Sequence, residues 1–210
     1  FHAGIEAGVP THKDSDLFYL NAQLNFFVGS SGWFIHVGRP WKDGNFGGGS
    51  PITLKVMSIF TFRSYFQCGT GTGSIMENGR KITGVSAVDP TPPIPNFIMD
   101  IINHNNRKGE NGSVNSENVV ATAADLKGGL AFGANFNTKL DATFLIFYIN
   151  MEFMVGFDLA FYILEQGLEC KDDEGNIMTK GVNGFYATGQ VYLGAKIDVG
   201  IEIDLFFFSG

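Results

Sequence analysis

From Phe185 to Leu205 the chain alternates. Apolar or small residues stand at Phe185, Ala187, Gly189, Val191, Leu193, Ala195, Ile197, Val199, Ile201, Ile203 and Leu205, with Thr188, Gln190, Lys196, Asp198, Glu202 and Asp204 between them. Period two marks a β-strand with one dry face and one wet face. A usual strand has about five or six residues. A run this long therefore requires either a very extended sheet or two strands joined by a tight bend, for which Gly194 and Gly200 are the natural points.

The same pattern recurs upstream. Phe18, Leu20, Ala22, Leu24, Phe26 and Val28 share one face of a strand whose other face carries Tyr19, Asn21, Gln23 and Asn25. Gly29-Ser30-Ser31-Gly32 then turns the chain into a second strand with Trp33, Ile35 and Val37 on one side, a β-hairpin. After a turn-rich connection over 39–51, alternation returns through Ile52, Leu54, Val56, Phe60, Phe62 and Phe66 to about Cys68. It resumes at Leu130, Phe132, Ala134 and Phe136, then moves to odd positions from Leu145 to Ile163, a phase change that places a turn or bulge at 137–141. Between 69 and 129 the periodicity gives way to Gly, Asn, Ser and Pro. We read that span as a long loop between two β halves, with a short helix over 96–102 and a further turn or two over 116–126. The fold class that follows is mainly β: long antiparallel strands in a curved sheet, sandwich or barrel-like structure, forming one domain over 1–210 that is a piece of a longer chain. The apolar faces are expected to point inward and cover one another.

Composition narrows the function classes. Fourteen Lys and Arg against twenty-one Asp and Glu give a net charge of −7, and the basic residues are scattered, which argues against nucleic-acid binding. Phe (21) and Gly (28) are abundant while charged residues are 17%, a mixture suited to turn-rich β-structure with bulky faces. No long uninterrupted apolar run reads as a transmembrane helix, a test that does not address β-barrels.

Few constellations carry chemistry. Cys68 and Cys170 stand at the ends of separate ribbons and are either a disulfide, as in an exported protein, or two thiols. Asp172, Asp173 and Glu174 form a charged loop tip; as a metal site it lacks the calcium-loop register, which favours a solvated hairpin. Residues 69–74 (GTGTGS) are a turn and not a phosphate cradle, since the P-loop Lys and the following helix are missing. His2, His12, His36 and His104 have no metal-ligand spacing. His36 lies on the face opposite Trp33, Ile35 and Val37, where a surface or hydrogen-bonded histidine is expected. Asp158, Asp198, Glu202 and Asp204, with Lys196, are ordinary solvated positions or else line a polar lumen. No catalytic residue and no cofactor is assigned, and the chain is not read as an enzyme.

IHVGRP at 35–40, PTPPIP at 90–95 and GFYATGQVYLGAKI at 184–197 resemble parts of very large, uncharacterised exported or cell-surface proteins of Bacteroidota. That resemblance spans most of the chain and implies export and a larger parent protein. The leading expectation is a non-catalytic structural or interaction module of an exported cell-surface or envelope protein, in contact with other parts of its parent or an envelope complex. The alternatives are an outer-membrane β-barrel segment, whose Phe-rich faces meet lipid with aromatics gathered at two heights, and a carrier of a hydrophobic ligand such as a lipid.

Overall fold

The computed structural model describes residues 1–9, 17–40, 51–57, 59–77, 79–89, 98, 126–144, 147–164, 168–171, 177–180 and 185–201. Among these residues eleven strands follow one another in this order: β1 (His2–Val9), β2 (Phe18–Gly29), β3 (Gly32–Val37), β4 (Ile52–Val56), β5 (Phe60–Glu77), β6 (Arg80–Ser86), β7 (Leu126–Phe144), β8 (Phe147–Leu164), β9 (Leu168–Lys171), β10 (Ile177–Lys180) and β11 (Phe185–Ile201). Nine belong to one sheet whose main path is β1-β2-β3-β5-β7-β8-β11; β4 pairs with β2 and β5, and β6 with β5, while β9 and β10 form a separate pair. Every pairing is antiparallel. Antiparallel neighbours need only short connections, and the strands use them: Gly29 faces Gly32 across a two-residue turn, and Phe144 faces Phe147. The mainly β, long-stranded, curved architecture read from the sequence is the architecture of the protein.

The sheet is curled. β3 and β4 lie end to end in one lane, β3 against residues 24–29 of β2 and β4 against residues 18–21. β5 pairs with β7 as far as Thr70 and then leaves it, so that residues 72–77 pair with β6 instead. This arm crosses the concave side of β1 and β2: Gln23 Nε2 donates to the Met76 carbonyl at 2.6 Å, and the Met76 amide donates to Asn25 Oδ1 at 3.2 Å. Gly71 permits the departure. Its φ of +72° lies in the left-handed region, and a Cβ there would collide with the Ser31 carbonyl oxygen.

Four expectations are corrected. The apolar faces do not point inward. Phe60, Phe62, Phe66, Phe153, Val155 and Phe157 are all exposed, as are Leu193, Ile197 and Val199, whereas Gln23, Asn25, His36, Gln67, Asn135 and Asp158 are buried. A concave surface of this width is covered by its own small and polar side chains and by the β5–β6 arm, which leaves the bulkier residues on the convex side. The proposed loop over 69–129 begins as strand, since β5 continues to Glu77 and β6 spans 80–86; residues 69–74 are Gly, Thr and Ser, and Ile75, Met76, Ile82 and Val85 do not form a long period-two run. Of the helix placed at 96–102 only Ile98 is described, and it is buried; 116–125 lies outside the described residues. The phase change does not fall at 137–141, because β7 runs unbroken through them to Phe144 and β8 begins, in the other phase, at Phe147. Gly194 and Gly200 are not bends, since β11 pairs with β8 continuously from Phe185 to Ile201.

Candidate functional site

The concave wall is built row by row from cross-strand neighbours. One row reads Gly4, Asn25, His36, Gln67, Ala131, Ala160 and Thr188 across seven strands. Another passes through Tyr65, Gly133, Asp158 and Gln190. Polar groups taken from water need hydrogen bonds, and the two rows find them in different ways.

In the first, the partner is the chain itself. The end of β6 from Val85, and the residues that follow it to Asp89, form a strap across the inner wall, with Val85, Ala87 and Val88 buried in one apolar cluster with Phe34 and Ile75. His36, fully buried and stacked on Phe34 at 4.4 Å between ring centroids, has Nε2 2.9 Å from the Ala87 carbonyl. The carbonyl can only accept, so Nε2 carries the proton. The Ala87 amide donates to the Gly71 carbonyl at 2.9 Å. Asp89 closes the strap. Arg39, held after β3 by the turn at Gly38 (φ +68°), donates from Nε at 3.0 Å and from Nη2 at 2.9 and 3.0 Å to its carboxylate. Gln67 donates to the same carboxylate at 2.8 Å and accepts the Asp89 amide at 2.9 Å, and the Tyr162 hydroxyl donates to the Asp89 carbonyl at 3.3 Å. The forked guanidinium–carboxylate contact is the strong, directional kind. Gln23 Oε1, Asn25 Nδ2 and His36 Nδ1 are buried beside this network without a partner among the described residues, which marks the wall as a polar one.

In the second row Asp158 accepts from the Tyr65 hydroxyl at 3.1 Å and from Gln190 Nε2 at 3.0 Å, and is fully buried. Beyond it, towards the end of the sheet where β7 meets β8, the wall becomes charged. Lys139, Glu152 and Lys196 form one row, and Asp141, Asn150 and Asp198 the next. These residues line an open cavity, with Lys139 Nζ 3.1 Å from Asp141 Oδ2.

The sequence-based candidates therefore part company. Asp158 is not solvated but buried in the wall; Lys196 and Asp198 are exposed at its rim, and Glu202 and Asp204 lie outside the described residues. His36 is hydrogen-bonded and buried, and it has no other histidine near it on the wall rows. His2 pairs with Phe27 in β1, while His12 and His104 are outside the described residues. Cys68 sits on the convex face between Ile35 and Leu130, whereas the side chain of Cys170 lies outside the described residues, as do Asp172, Asp173 and Glu174. Residues 69–74 are part of β5. Sequence reasoning missed Arg39, Gln67 and Asp89. Their separations of 22 and 50 residues leave no local spacing to notice. Comparison of the chain with protein-family models, with curated proteins and with solved structures gave no match.

Proposed function

We propose that the chain is a non-catalytic wall segment of a transmembrane β-barrel in a bacterial outer membrane, reached by export. One observation carries this reading: the polarity of the sheet is inverted relative to a water-soluble domain. Every outward position of β2, β3, β4, β5 as far as Thr70, β7 from Gly128, β8 and β11 is uncharged among the described residues, from Phe18 to Ile201, while the inner positions hold Arg63, Lys139, Glu152, Asp158, Lys196 and Asp198. An apolar exterior and a polar interior, alternating along each strand, are what a bilayer-spanning barrel requires. About nine to eleven tilted residues cross the hydrocarbon, and β7, β8 and β11 have 19, 18 and 17. Among the described residues no helix is long and apolar enough to cross a membrane, a test that does not address crossing by strands. The polar concavity, partly filled by the 85–89 strap, disfavours carriage of an oily guest.

A second reading has one feature in its favour. The outward phenylalanines occupy every height of β8, at Phe147, Phe153, Phe157 and Phe161, and are not gathered into two belts. A further part of a larger envelope protein, covering the same face, suits that spread equally well.

The test uses Trp33, outward and 44% exposed, in a chain whose other tryptophan is changed by Trp41→Phe. In vesicles containing lipids brominated along the acyl chain, Trp33 fluorescence is quenched, and the chain needs detergent to stay monodisperse outside them. A monodisperse chain in plain buffer, with Trp33 unquenched by those vesicles, overturns the proposal.

A further inference from the structure

We propose that the free edge of β11 is an acceptor for one more β-strand, antiparallel to it, carrying apolar side chains at alternate positions and a basic-x-acidic pair between them. The inference rests on the barrel reading for its setting, but on separate observations for its content. β11 is paired along its whole length with β8, and among the described residues no strand lies on its other side. Its outward residues register the difference: Val191, Leu193 and Val199 are 81%, 67% and 65% exposed, against 38%, 36% and 38% for Phe153, Val155 and Phe157 on β8, which is flanked on both sides. A long unpaired edge of this kind is a template for another strand, and bare strand edges do not persist in hydrocarbon.

Strand direction says what fits. Along the path β1-β2-β3-β5-β7-β8-β11 each step is antiparallel, so the first and last strands run the same way. β1 and β11 cannot close on each other as antiparallel neighbours. A second copy in the same membrane orientation brings its β1 to β11 in parallel, with the same misfit. One strand running the other way satisfies both edges and makes the number of lanes even, as in bacterial single-chain barrels.

Charge says what that strand carries. Across the rim the signs alternate from lane to lane, Lys139, Glu152, Lys196, while Asp198 follows in the next row beyond Asn150. Lys196 and Asp198 line the rim cavity on the last lane of the path and have no ion-pair or hydrogen-bond partner among the described residues. Directly opposed unlike charges are favourable in antiparallel pairs and like charges are not. A strand antiparallel to β11 meets Asp198 first and Lys196 two residues later, which specifies Lys or Arg, then any residue, then Asp or Glu.

A synthetic copy of residues 134–144, with Lys139 and Asp141 in that order and apolar residues alternating around them, serves as the probe, labelled with a fluorophore and added to the detergent-solubilised chain. The expected result is binding that slows hydrogen exchange at every second β11 amide, those not already paired to β8. The same peptide with its Lys and Asp exchanged binds about tenfold more weakly, and Lys196→Glu with Asp198→Lys in the protein reverses the preference. Equal binding of both peptides, or no added protection in β11, overturns the inference. The Trp33 quenching experiment is done without peptide, so the two failures separate. A chain that enters bilayers but ignores both peptides refutes only the acceptor edge, and one that sorts the peptides while staying out of bilayers refutes only the membrane wall.

Discussion

Tyr192 lies over Gly156 of the adjoining strand so closely that a Cβ at Gly156 would come within 2.5 Å of the ring and hydroxyl, and Tyr148 covers Gly200 in the same manner. The glycine supplies the space and the ring supplies the missing cover, an arrangement that also pins register. All six tyrosines of the chain, Tyr19, Tyr65, Tyr148, Tyr162, Tyr186 and Tyr192, fall on the concave side, while the strand phenylalanines other than Phe27 and Phe34 fall on the convex side. A buried hydroxyl gains from a polar partner: Tyr65 donates to Asp158 and Tyr162 to the Asp89 carbonyl on the inner wall, whereas the Tyr192 hydroxyl is buried without a partner among the described residues. This sorting was legible in the sequence, since each tyrosine shares its alternation phase with Asn, Gln, Asp or Lys. The Asp89 network was not, because no pattern joins Arg39 to a residue fifty positions on. Gly156→Ala is expected to cost about 1–3 kcal/mol through overpacking, read from the urea midpoint in detergent. Combined with Tyr192→Ala, the loss should be smaller than the sum of the two single losses; simple additivity would show that ring and glycine are not coupled. Asp89→Ala leaves the Arg39 guanidinium buried with its main partner gone, and about 3–5 kcal/mol should be lost. Lys139→Ala, at an ion pair whose side chains are 57% and 54% exposed, should cost less than about 1 kcal/mol. Similar midpoints for these two variants would remove the strap's anchor from the account.

Among the elements, β5 departs furthest from its sequence signal. Its first half carries Phe60, Phe62 and Phe66 outward and behaves as the alternation says, but residues 69–74 are only Gly, Thr and Ser, and when large apolar residues return they are adjacent, Ile75 and Met76. Backbone pairing with β6, a hydrogen bond from Gln23 to the Met76 carbonyl and one from the Met76 amide to Asn25 hold that second half in place, and contacts of this kind leave no trace in hydropathy. The limit of β7 was misplaced for a related reason: Thr138, Leu140, Ala142 and Phe144 keep the phase, yet Leu145 imitates the start of the next run. β8 and β11 were legible over their described lengths because both alternate without interruption. The turn of β5 towards β6 depends on Gly71. Gly71→Ala forces a side chain into positive φ against the Ser31 carbonyl, and a loss of about 2–4 kcal/mol is expected from the combined strain and collision. The β5–β6 arm should then become the first site of proteolysis. Cleavage confined to other segments, at an unchanged urea midpoint, would show that the arm does not depend on this residue.

At the scale of the whole molecule the alternation is ambiguous by nature: period two reports that the two sides of a sheet differ, not which side faces the solvent. What decides is curvature together with the volume available inside. Glycines and alanines at Gly4, Gly133, Gly156, Ala131 and Ala160 line the concave face, the strap of residues 85–89 takes up part of the space, and the remainder suits hydrogen-bonded polar groups better than rows of phenylalanine. The convex face is then left with the oily residues, and the membrane reading makes a prediction that a water-facing or protein-covered surface does not share. An arginine placed along the outward side of β8 should be penalised according to depth. Phe157→Arg and Val155→Arg, in the middle of the strand, are expected to cost about 2–4 kcal/mol of folding stability in vesicles, whereas Phe147→Arg and Ile163→Arg, at its two ends, should cost about 0–1 kcal/mol. In plain buffer an exposed phenylalanine loses little by becoming arginine, so a soluble sheet would give four similar small values; a protein partner would give penalties that follow its own contacts and not the distance from the strand's centre. Folding titrations of the four variants in the same lipid distinguish these outcomes, and only a profile that rises at the centre and falls at both ends is compatible with hydrocarbon against the convex face.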